Sequence, residues 1–312
     1  MKREYGLDQV VHDDRSLVTV GTFDGVHLGH QAILRYLVRR ARANGGSSVV
    51  VTFDPHPREV VRGEPVPLLT TIEERAELLE ALGLDRFIVI PFTPAFARLS
   101  AEDFVERILV GRIGLKEIVI GYDHGFGRGR GGDAALLEAL GEKLGFAVDV
   151  IPPQVVEEHV VSSTEIRALL IDEGDVREAA RLLGRPYALG GTVVEGARRG
   201  RSIGFPTANL EVEHPRKVIP KAGVYAVLAT LDDGVTTLGG MMNIGRRPTF
   251  ENTGLHLEVH LLDFEGDLYG RRLRIEFVER LRDERKFDSV DALVEQLSRD
   301  RERCMAAVKT LH

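Results

Sequence analysis

Two histidines three residues apart, His27 and His30, stand in the run Gly21-Thr22-Phe23-Asp24-Gly25-Val26-His27-Leu28-Gly29-His30, where an apolar strand gives way to a helix. A helix N-terminus presents unpaired N–H groups and the positive end of its dipole, so an anionic phosphate is favoured there before any side chain contributes. Gly25 and Gly29 let the backbone come close. Two imidazoles on the opening turn can donate hydrogen bonds to oxygens whose charge grows in a phosphoryl or nucleotidyl transition state, neither acting as nucleophile. A plain surface pair or a zinc pair is the competing reading. Against zinc, no third ligand lies at the usual spacing and the only cysteine is Cys304.

A second helix start, Val161-Ser162-Ser163-Thr164-Glu165-Ile166-Arg167, carries three hydroxyls and a guanidinium. Ser162 and Glu165 have capping-box spacing, which explains those two alone. Ser163, Thr164 and Arg167 suit a triphosphate or a pyrophosphate leaving group. Phe53-Asp54-Pro55-His56-Pro57 ends a strand, and its prolines make a stiff loop: either a plain turn or a support on which Phe53 and His56 hold a planar substrate. Gly127-Arg128-Gly129-Arg130-Gly131-Gly132 formally contains G-x-G-x-x-G, the one basis for a dinucleotide-oxidoreductase reading. Asp123-His124-Gly125-Phe126 separates it from its strand, whereas that fingerprint needs its first glycine in the tight turn itself. A flexible loop over the site is the preferred reading.

Further along, a glycine-rich passage from Gly191 ends in Phe205-Pro206-Thr207-Ala208-Asn209 and lacks the Gly-Lys-Ser/Thr of a P-loop, so any ATP site there is of another kind. Thr207 and Asn209 share a face if the chain is extended. Their two neutral oxygens can orient a Mg²⁺ already bound by ATP phosphates, or simply line a polar outer face. In Leu255-His256-Leu257-Glu258-Val259-His260-Leu261 the apolar residues alternate inward and leave Glu258 on the other face. There Glu258 is either solvated or, if that face lines a cavity, the acceptor of a proton from an attacking hydroxyl.

The elements that position these groups follow two different periods. Residues 1–183 alternate strand and helix: strands at Leu17–Val20, Val49–Phe53, Phe87–Ile90, Ile118–Gly121 and Ala147–Val150, and helices ending at Asn44, over Ile72–Leu82, and over Ser100–Ile113 with Ser100 and Asp103 as a cap. This implies a doubly wound α/β domain, a parallel sheet with helices on both faces and ligands at the carboxyl ends of its strands. Beyond Gly184-Arg185-Pro186 the rhythm changes to short strands, including Gly223–Val227, Leu255–Leu262 and Leu273–Val278, with a closing helix from about Ser289. That pattern predicts a small antiparallel β-barrel with a terminal helix over 184–312.

Composition narrows the function class. The 312 residues suit roughly two domains at about 150 residues each. The net charge is −7, with 21 basic and 29 acidic residues in 1–183 and 20 and 19 in 184–312, which argues against an extended nucleic-acid footprint. No apolar run approaches the ~18 residues of a membrane helix, the start of the chain is polar, and one cysteine allows no internal disulfide framework. The expectation is a cytoplasmic enzyme with no membrane partner and no nucleic-acid partner.

Together these residues resemble the prokaryotic bifunctional riboflavin kinase/FAD synthetase family over nearly the whole chain. The first half carries the resemblance at GTFDGVHLGH (Gly21 to His30), TFDPHP (Thr52 to Pro57), the Gly121 to Gly132 loop and SSTEIR (Ser162 to Arg167). The second half carries it at GRSIGFPTAN (Gly200 to Asn209), Gly223-Val224-Tyr225, MNIGRRPTF (Met242 to Phe250), LEVHLLDFEGDLYG (Leu257 to Gly270) and Arg285-Lys286-Phe287. His124 departs from the pattern, which more often has an aromatic apolar residue there. The resemblance implies an HxGH-type nucleotidyltransferase domain over 1–183 that joins FMN to the AMP part of ATP, releasing pyrophosphate and making FAD. Its ATP would be held by Gly21, Thr22, Phe23, Asp24, Gly25, His27, Gly29, His30, Ser162, Ser163, Thr164 and Arg167, with His27 and His30 catalytic. Its flavin would lie near Phe53, Pro55, His56, Pro57 and Asp123.

The resemblance likewise implies that 184–312 is a six-stranded riboflavin kinase barrel. ATP would lie at Gly191, Gly200, Arg201, Gly204, Phe205, Pro206, Thr207 and Asn209, Mg²⁺ at Thr207 and Asn209, and Glu258 would be the base. Riboflavin, FMN and ATP are then the partners, with FMN and FAD as substrate and product. Two rivals stand beside this: a related nucleotidyltransferase acting on another phosphorylated acceptor with a non-catalytic barrel, and a flavin-binding sensor without turnover. A class I aminoacyl-tRNA synthetase shares a similar histidine motif, but the chain is short, acidic and without an evident tRNA-binding part.

Overall fold

The computed structural model describes the chain except for residues 123–124, 153–154, 157–158, 197–199, 201–202, 247–254 and 310–312. Contacts divide it into two units, Met1–Ser163 and Thr164–His312. The first unit runs β1 (Lys2–Tyr5), β2 (Ser16–Val20), α1 (Leu28–Ala43), β3 (Ser47–Asp54), α2 (Pro57–Arg62), α3 (Ile72–Ala81), β4 (Arg86–Pro91), α4 (Ala101–Asp103), β5 (Leu115–Gly121), α5 (Ala134–Leu144) and β6 (Ala147–Ile151), followed by a small hairpin of β7 (Val155–Val156) and β8 (His159–Val160).

The six main strands form one sheet in the order β1-β4-β3-β2-β5-β6, every pair parallel. The four inner strands, β2 to β5, read as near-continuous apolar runs because both faces are covered. Along each strand alternate residues part to opposite sides. Val18, Val20, Val49, Val51, Ile88, Ile90, Ile118 and Ile120 join one core with Phe104, Leu109 and Leu137. Leu17, Val50, Phe87, Val89 and Val119 join the other with Leu34 and Leu37 of α1 and Leu79 of α3. The doubly wound sheet expected from the alternating pattern is therefore present. The chain steps outward from β2 through β3 to β4, then returns to β5 on the other side of β2. The order reverses between β2 and β5, the place where open sheets of this kind leave a crevice for ligands.

One helix differs from its expectation. Ser100 does cap, its hydroxyl accepting the Asp103 N–H, but only Ala101–Asp103 is α-helical and Phe104–Ile113 is a π-helix. It closes with the wide pattern, the Gly114 N–H donating to the Leu109 carbonyl at 3.0 Å. Periodicity does not separate the two because both place Phe104, Val105, Leu109 and Ile113 on the buried side.

Edge strand β1 carries no apolar signal, and an ion pair explains its place. Glu4, 1% exposed, accepts from Arg86 Nε at 2.9 Å and Arg86 Nη2 at 3.2 Å, and the same guanidinium donates to the Val11 carbonyl at 2.9 Å. Losing one partner of a buried pair strands the other, so Arg86→Met should destabilise this unit by about 3–5 kcal/mol, read as a lower urea midpoint. Burial raises the Glu4 carboxyl, but hydrogen bonds from Arg86 and Lys2, the Arg86 charge and the Val11 N–H outweigh it and hold the group below its usual range. A carboxyl depressed on folding stabilises the native state above its unfolded value, ~4.3, and that contribution is lost as pH falls through the lower folded value. The stability gap between wild type and Glu4→Gln should accordingly narrow on acidification below about pH 4.3. A gap unchanged across that window would show that Glu4 is not the linked group.

Helix α6 (Ser163–Ala168) starts at the last residue of the first unit and passes into a π-helical turn, Leu169–Glu173, and then α7 (Val176–Leu183) of the second. Helix α7 packs on the strands that follow, with Arg177 paired to Glu279 at 2.7 Å. Those strands are β9 (Tyr187–Val194), β10 (Ala208–Val212), β11 (Gly223–Leu231), β12 (Thr237–Arg246), β13 (Leu255–Leu261) and β14 (Arg272–Arg282). They close into a barrel in the order β10-β13-β12-β11-β14-β9, all antiparallel. Tyr187, Tyr225 and Phe277 meet inside it, with ring centroids 5.4 and 6.1 Å from Phe277. Helix α8 (Val290–Lys309) packs Cys304 and Ala307 against Val224, Ala226, Met241 and Leu281. The barrel and terminal helix agree with expectation.

Strands β9 and β12 are hidden in sequence by internal glycine pairs, which weaken a strand pattern. The packing shows their use: a Cβ at Gly191 would meet the Leu210 side chain at 2.5 Å.

Candidate active sites

In the first unit the turn after β2 is built from strained backbone. Phe23 has φ 47° and Val26 φ 42°, with Gly25 at φ 84° between them. Positive φ is costly for a β-branched residue, of order 1–3 kcal/mol per strained position, and persists only where surroundings over-determine it. Those surroundings are explicit. The Asp24 carboxylate is fully buried and accepts the Leu69 N–H at 3.0 Å, the Thr70 N–H at 2.9 Å and the Thr70 hydroxyl at 3.1 Å. The Gly25 N–H donates to Thr70 Oγ1 at 2.9 Å, and Gln31 Nε2 donates to the Val26 carbonyl at 3.0 Å.

This turn delivers the two histidines to one spot. His27 is the N-cap of α1, its Nδ1 accepting the His30 N–H at 3.4 Å. An accepting Nδ1 leaves Nε2 to carry the ring proton. The rings stack with centroids 3.6 Å apart and an interplanar angle of 21°, and Phe23 meets His30 edge-on at 5.1 Å. Gly29 makes room, since a Cβ there would sit 3.2 Å from the His27 ring. His30 Nδ1 is closed off from solvent and has no hydrogen-bond partner. Burial, then the neighbouring His27 and the Arg75 charge, hold His30 well below the usual imidazole range, so the ring is neutral at neutral pH.

Other predicted residues reach the same sheet edge. The Ser163 hydroxyl donates to the Asp24 carbonyl at 2.9 Å, and the Val161 carbonyl lies against Gly29. Ser162 stands just before α6, three residues ahead of Glu165, with capping-box spacing. Thr164 and Arg167 fall in the second unit, exposed and half-buried respectively on α6. The Phe53–Pro57 segment closes β3, the strand next to β2. Its Asp54-Pro55 peptide is cis, His56 caps α2 by accepting the Arg58 N–H at 3.2 Å, and Pro57 opens that helix. Phe53 belongs to a cluster with Phe92, Phe96 and Phe104, its centroids 5.3 to 6.3 Å from theirs. The glycine-rich loop is a 3-10 turn at Arg128–Arg130 closed by a bridge between Phe126 and Gly132, well past the end of β5. That is not the tight turn of a dinucleotide fingerprint. Asp123 and His124 lie outside the described residues.

In the second unit the register brings polar groups together around Glu258. Asn209 on β10 and Asn243 on β12 are its direct cross-strand partners on either side. The Thr207 hydroxyl lies 3.4 Å from Glu258 Oε2, just before β10. Asn209 occupies space next to Gly196, where a Cβ would come within 1.8 Å of its Nδ2. The Pro206 carbonyl is 2.8 Å from His260 Nδ1, and Phe205 packs edge-on to the His260 ring at 5.3 Å. Leu257, Val259 and Leu261 are buried while His256, Glu258 and His260 are half-buried, the alternation expected of β13. The Phe205 N–H donates to the Gly200 carbonyl at 2.9 Å, and Gly204 has φ 81°, so both glycines shape the turn leading to Thr207. Gly191 instead lies inside β9 under Leu210. Arg201 lies outside the described residues.

A FAD synthetase family model matches residues 10–165 and a riboflavin kinase family model matches residues 183–308. The bifunctional riboflavin kinase/FMN adenylyltransferase of Pseudomonas fluorescens is 41% identical over 95% of this chain and 94% of its own length. The chain belongs to this bifunctional family. The Escherichia coli K12 member is 40% identical over 91% of this chain and 90% of its own. A crystal structure from Streptococcus pneumoniae, described as a macrolide-efflux protein, superposes with a TM-score of 0.88 at 34% identity, over 97% of this chain and 98% of that one. No helix among the described residues is long and apolar enough to cross a membrane.

Sequence reading of this family member missed four residues that the fold brings to the two sites. Arg75 and Thr70 lie under the histidine turn, and Asn243 flanks Glu258. Glu284 reaches Asn243 Nδ2 at 3.5 Å. Arg75 follows the capping box of α3, Thr71 with Glu74, which marks a helix start but not a buried arginine.

Proposed function

We propose that the two activities of the family, FMN formation from riboflavin and ATP and FAD formation from FMN and ATP, are performed by one constellation in each unit, with the functional boundary near Gly184. The observation that carries this is that each family-matched segment holds its own cluster: stacked His27 and His30 at a sheet switch point in one, and Glu258 beside Thr207 and Asn209 in the other. In the first, the α1 N-terminus and the two rings bind the ATP phosphates, and transfer of AMP to the FMN phosphate releases pyrophosphate. Ser162 and Ser163 hold the leaving end, and the Phe53–Pro57 loop supports the flavin ring. Attack is in line, so positioning and donors aimed at the developing charge supply most of the acceleration.

In the barrel, Glu258 takes the proton from the riboflavin 5′-hydroxyl as that oxygen attacks the terminal phosphorus of ATP, and ADP leaves. Thr207 and Asn209 offer neutral oxygens next to a carboxylate, a hard-oxygen set that suits Mg²⁺. Those two side chains would hold the ion alongside ATP, and when bound it supplies neutralisation of phosphate charge. We place the enzyme in the cytoplasm, in keeping with a chain whose single cysteine allows no internal disulfide.

Purified protein incubated with riboflavin, ATP and magnesium should yield FMN first and then FAD on chromatographic separation of the flavins. FMN without FAD would remove the assignment of the first unit. No FMN at all would remove that of the barrel and favour a nucleotidyltransferase with another acceptor. Flavin binding without ATP consumption would leave only a sensor.

A further inference from the structure

We propose that Arg75 is a positioning residue for adenylyl transfer, which with Asp24 clamps the strained Phe23–Val26 turn from beneath so that His27 and His30 are held ready for a phosphate chain. This rests on that turn being the adenylyl-transfer site. Arg75 lies on α3, whose neighbouring buried positions, Ala76 and Leu79, are apolar. At 3% exposure its guanidinium is inside the core, where an unpaired charge is costly. Its donors go to three separate pieces of chain. Nη2 reaches Asp24 Oδ1 at 3.4 Å and the Thr70 carbonyl at 3.1 Å, Nε reaches Thr70 Oγ1 at 3.4 Å, and Nη1 reaches Thr52 Oγ1 on β3 at 3.4 Å.

The clamp connects to the histidines by short covalent steps. Asp24 is the residue between the left-handed Phe23 and Gly25, and the Gly25 N–H is held by the same Thr70 hydroxyl that Arg75 engages. The Thr52 hydroxyl also donates to the Thr22 carbonyl at 3.3 Å, so Arg75 braces the turn from its strand side as well. Its charge further helps keep His30 unprotonated. Thr52 and Thr70 carry no formal charge, and Asp24 alone among the groups bonded to Arg75 balances it. An apolar side chain would fill this space without holding any of these groups.

The test measures FAD formation from FMN and ATP for wild type, Arg75→Met, Arg75→Lys, His30→Ala and the double variant Arg75→Met/His30→Ala, with FMN formation in the same samples reporting an intact barrel. Arg75→Met is expected to lower kcat about 10²-fold, the cost of a misplaced catalytic group, with KM for FMN little changed. Arg75→Lys keeps the charge and is expected to recover part of the loss. In the His30→Ala background, Arg75→Met is expected to cost far less, because the two act as one unit. If Arg75→Met does not fold, Asp24→Asn/Arg75→Gln removes both buried charges at once and is expected to fold with the same loss of kcat. Wild-type kcat in the folded Arg75 variant, or losses that multiply in full with His30→Ala, would overturn the positioning role. A His30→Ala protein that still makes FAD at the wild-type rate would instead overturn the site itself.

Discussion

Replacing His30 by alanine lowers the rate of FAD formation from FMN and ATP by about 10²–10³, the usual cost of losing one transition-state donor, while FMN formation from riboflavin stays at its wild-type level. The reason lies in how this ring is held. It stacks on His27 at 3.6 Å, meets Phe23 at 5.1 Å, and stands at the start of α1 where the sheet order reverses. Burial, His27 and Arg75 keep it neutral, so the contribution lost with it is a hydrogen bond from an uncharged ring and not a charge. The ratio of wild-type to variant rates should accordingly stay flat as salt is raised, because screening acts mainly on exposed charges. The fold should tolerate the change. His30 Nδ1 has no partner, so its removal leaves no hydrogen bond broken at that atom. Loss of both activities in a folded His30→Ala protein would defeat the assignment of one site to each unit.

Glu258→Gln produces the converse: FMN formation falls by about 10²–10⁴, the range for a positioned general base, and FAD formation from supplied FMN continues. Glutamine keeps the size of the side chain and can still hydrogen-bond the Thr207 hydroxyl, now 3.4 Å from Glu258 Oε2. What it loses is the negative acceptor for the substrate proton. The flanking register of Asn209 and Asn243 should hold the amide in place, so the effect belongs in kcat. A raised KM for ATP with kcat intact would show that Glu258 serves binding and not proton transfer.

The parts of each site legible in sequence are those made by one continuous segment. His27 and His30 share a single turn, and the strand before it and helix after it announce themselves by apolar period. Thr207 and Asn209 are two residues apart, and Glu258 sits in an alternating strand. Partners drawn from distant segments gave no such sign. Arg75 looks like one more charge on an amphipathic helix, yet it is the buried counter-ion of Asp24. Glu4 looks like part of a polar N-terminal stretch, yet it anchors an edge strand through Arg86. Strands β9 and β12 carry glycines that lower any strand signal, and the reason for one of them, Leu210 lying over Gly191, exists only across the barrel wall.

Sequence alone therefore determined the two fold types, the position of the histidine turn between strand and helix, and the order of the motifs, because backbone period and helix-start chemistry are local. Tertiary structure decided which charges are buried, that His27 and His30 stack, and that Glu258 lies between Asn209 and Asn243. The last depends on strand register, which is chosen by the summed packing of whole faces and by no single segment, and the first two on distant segments that pack against the residues concerned.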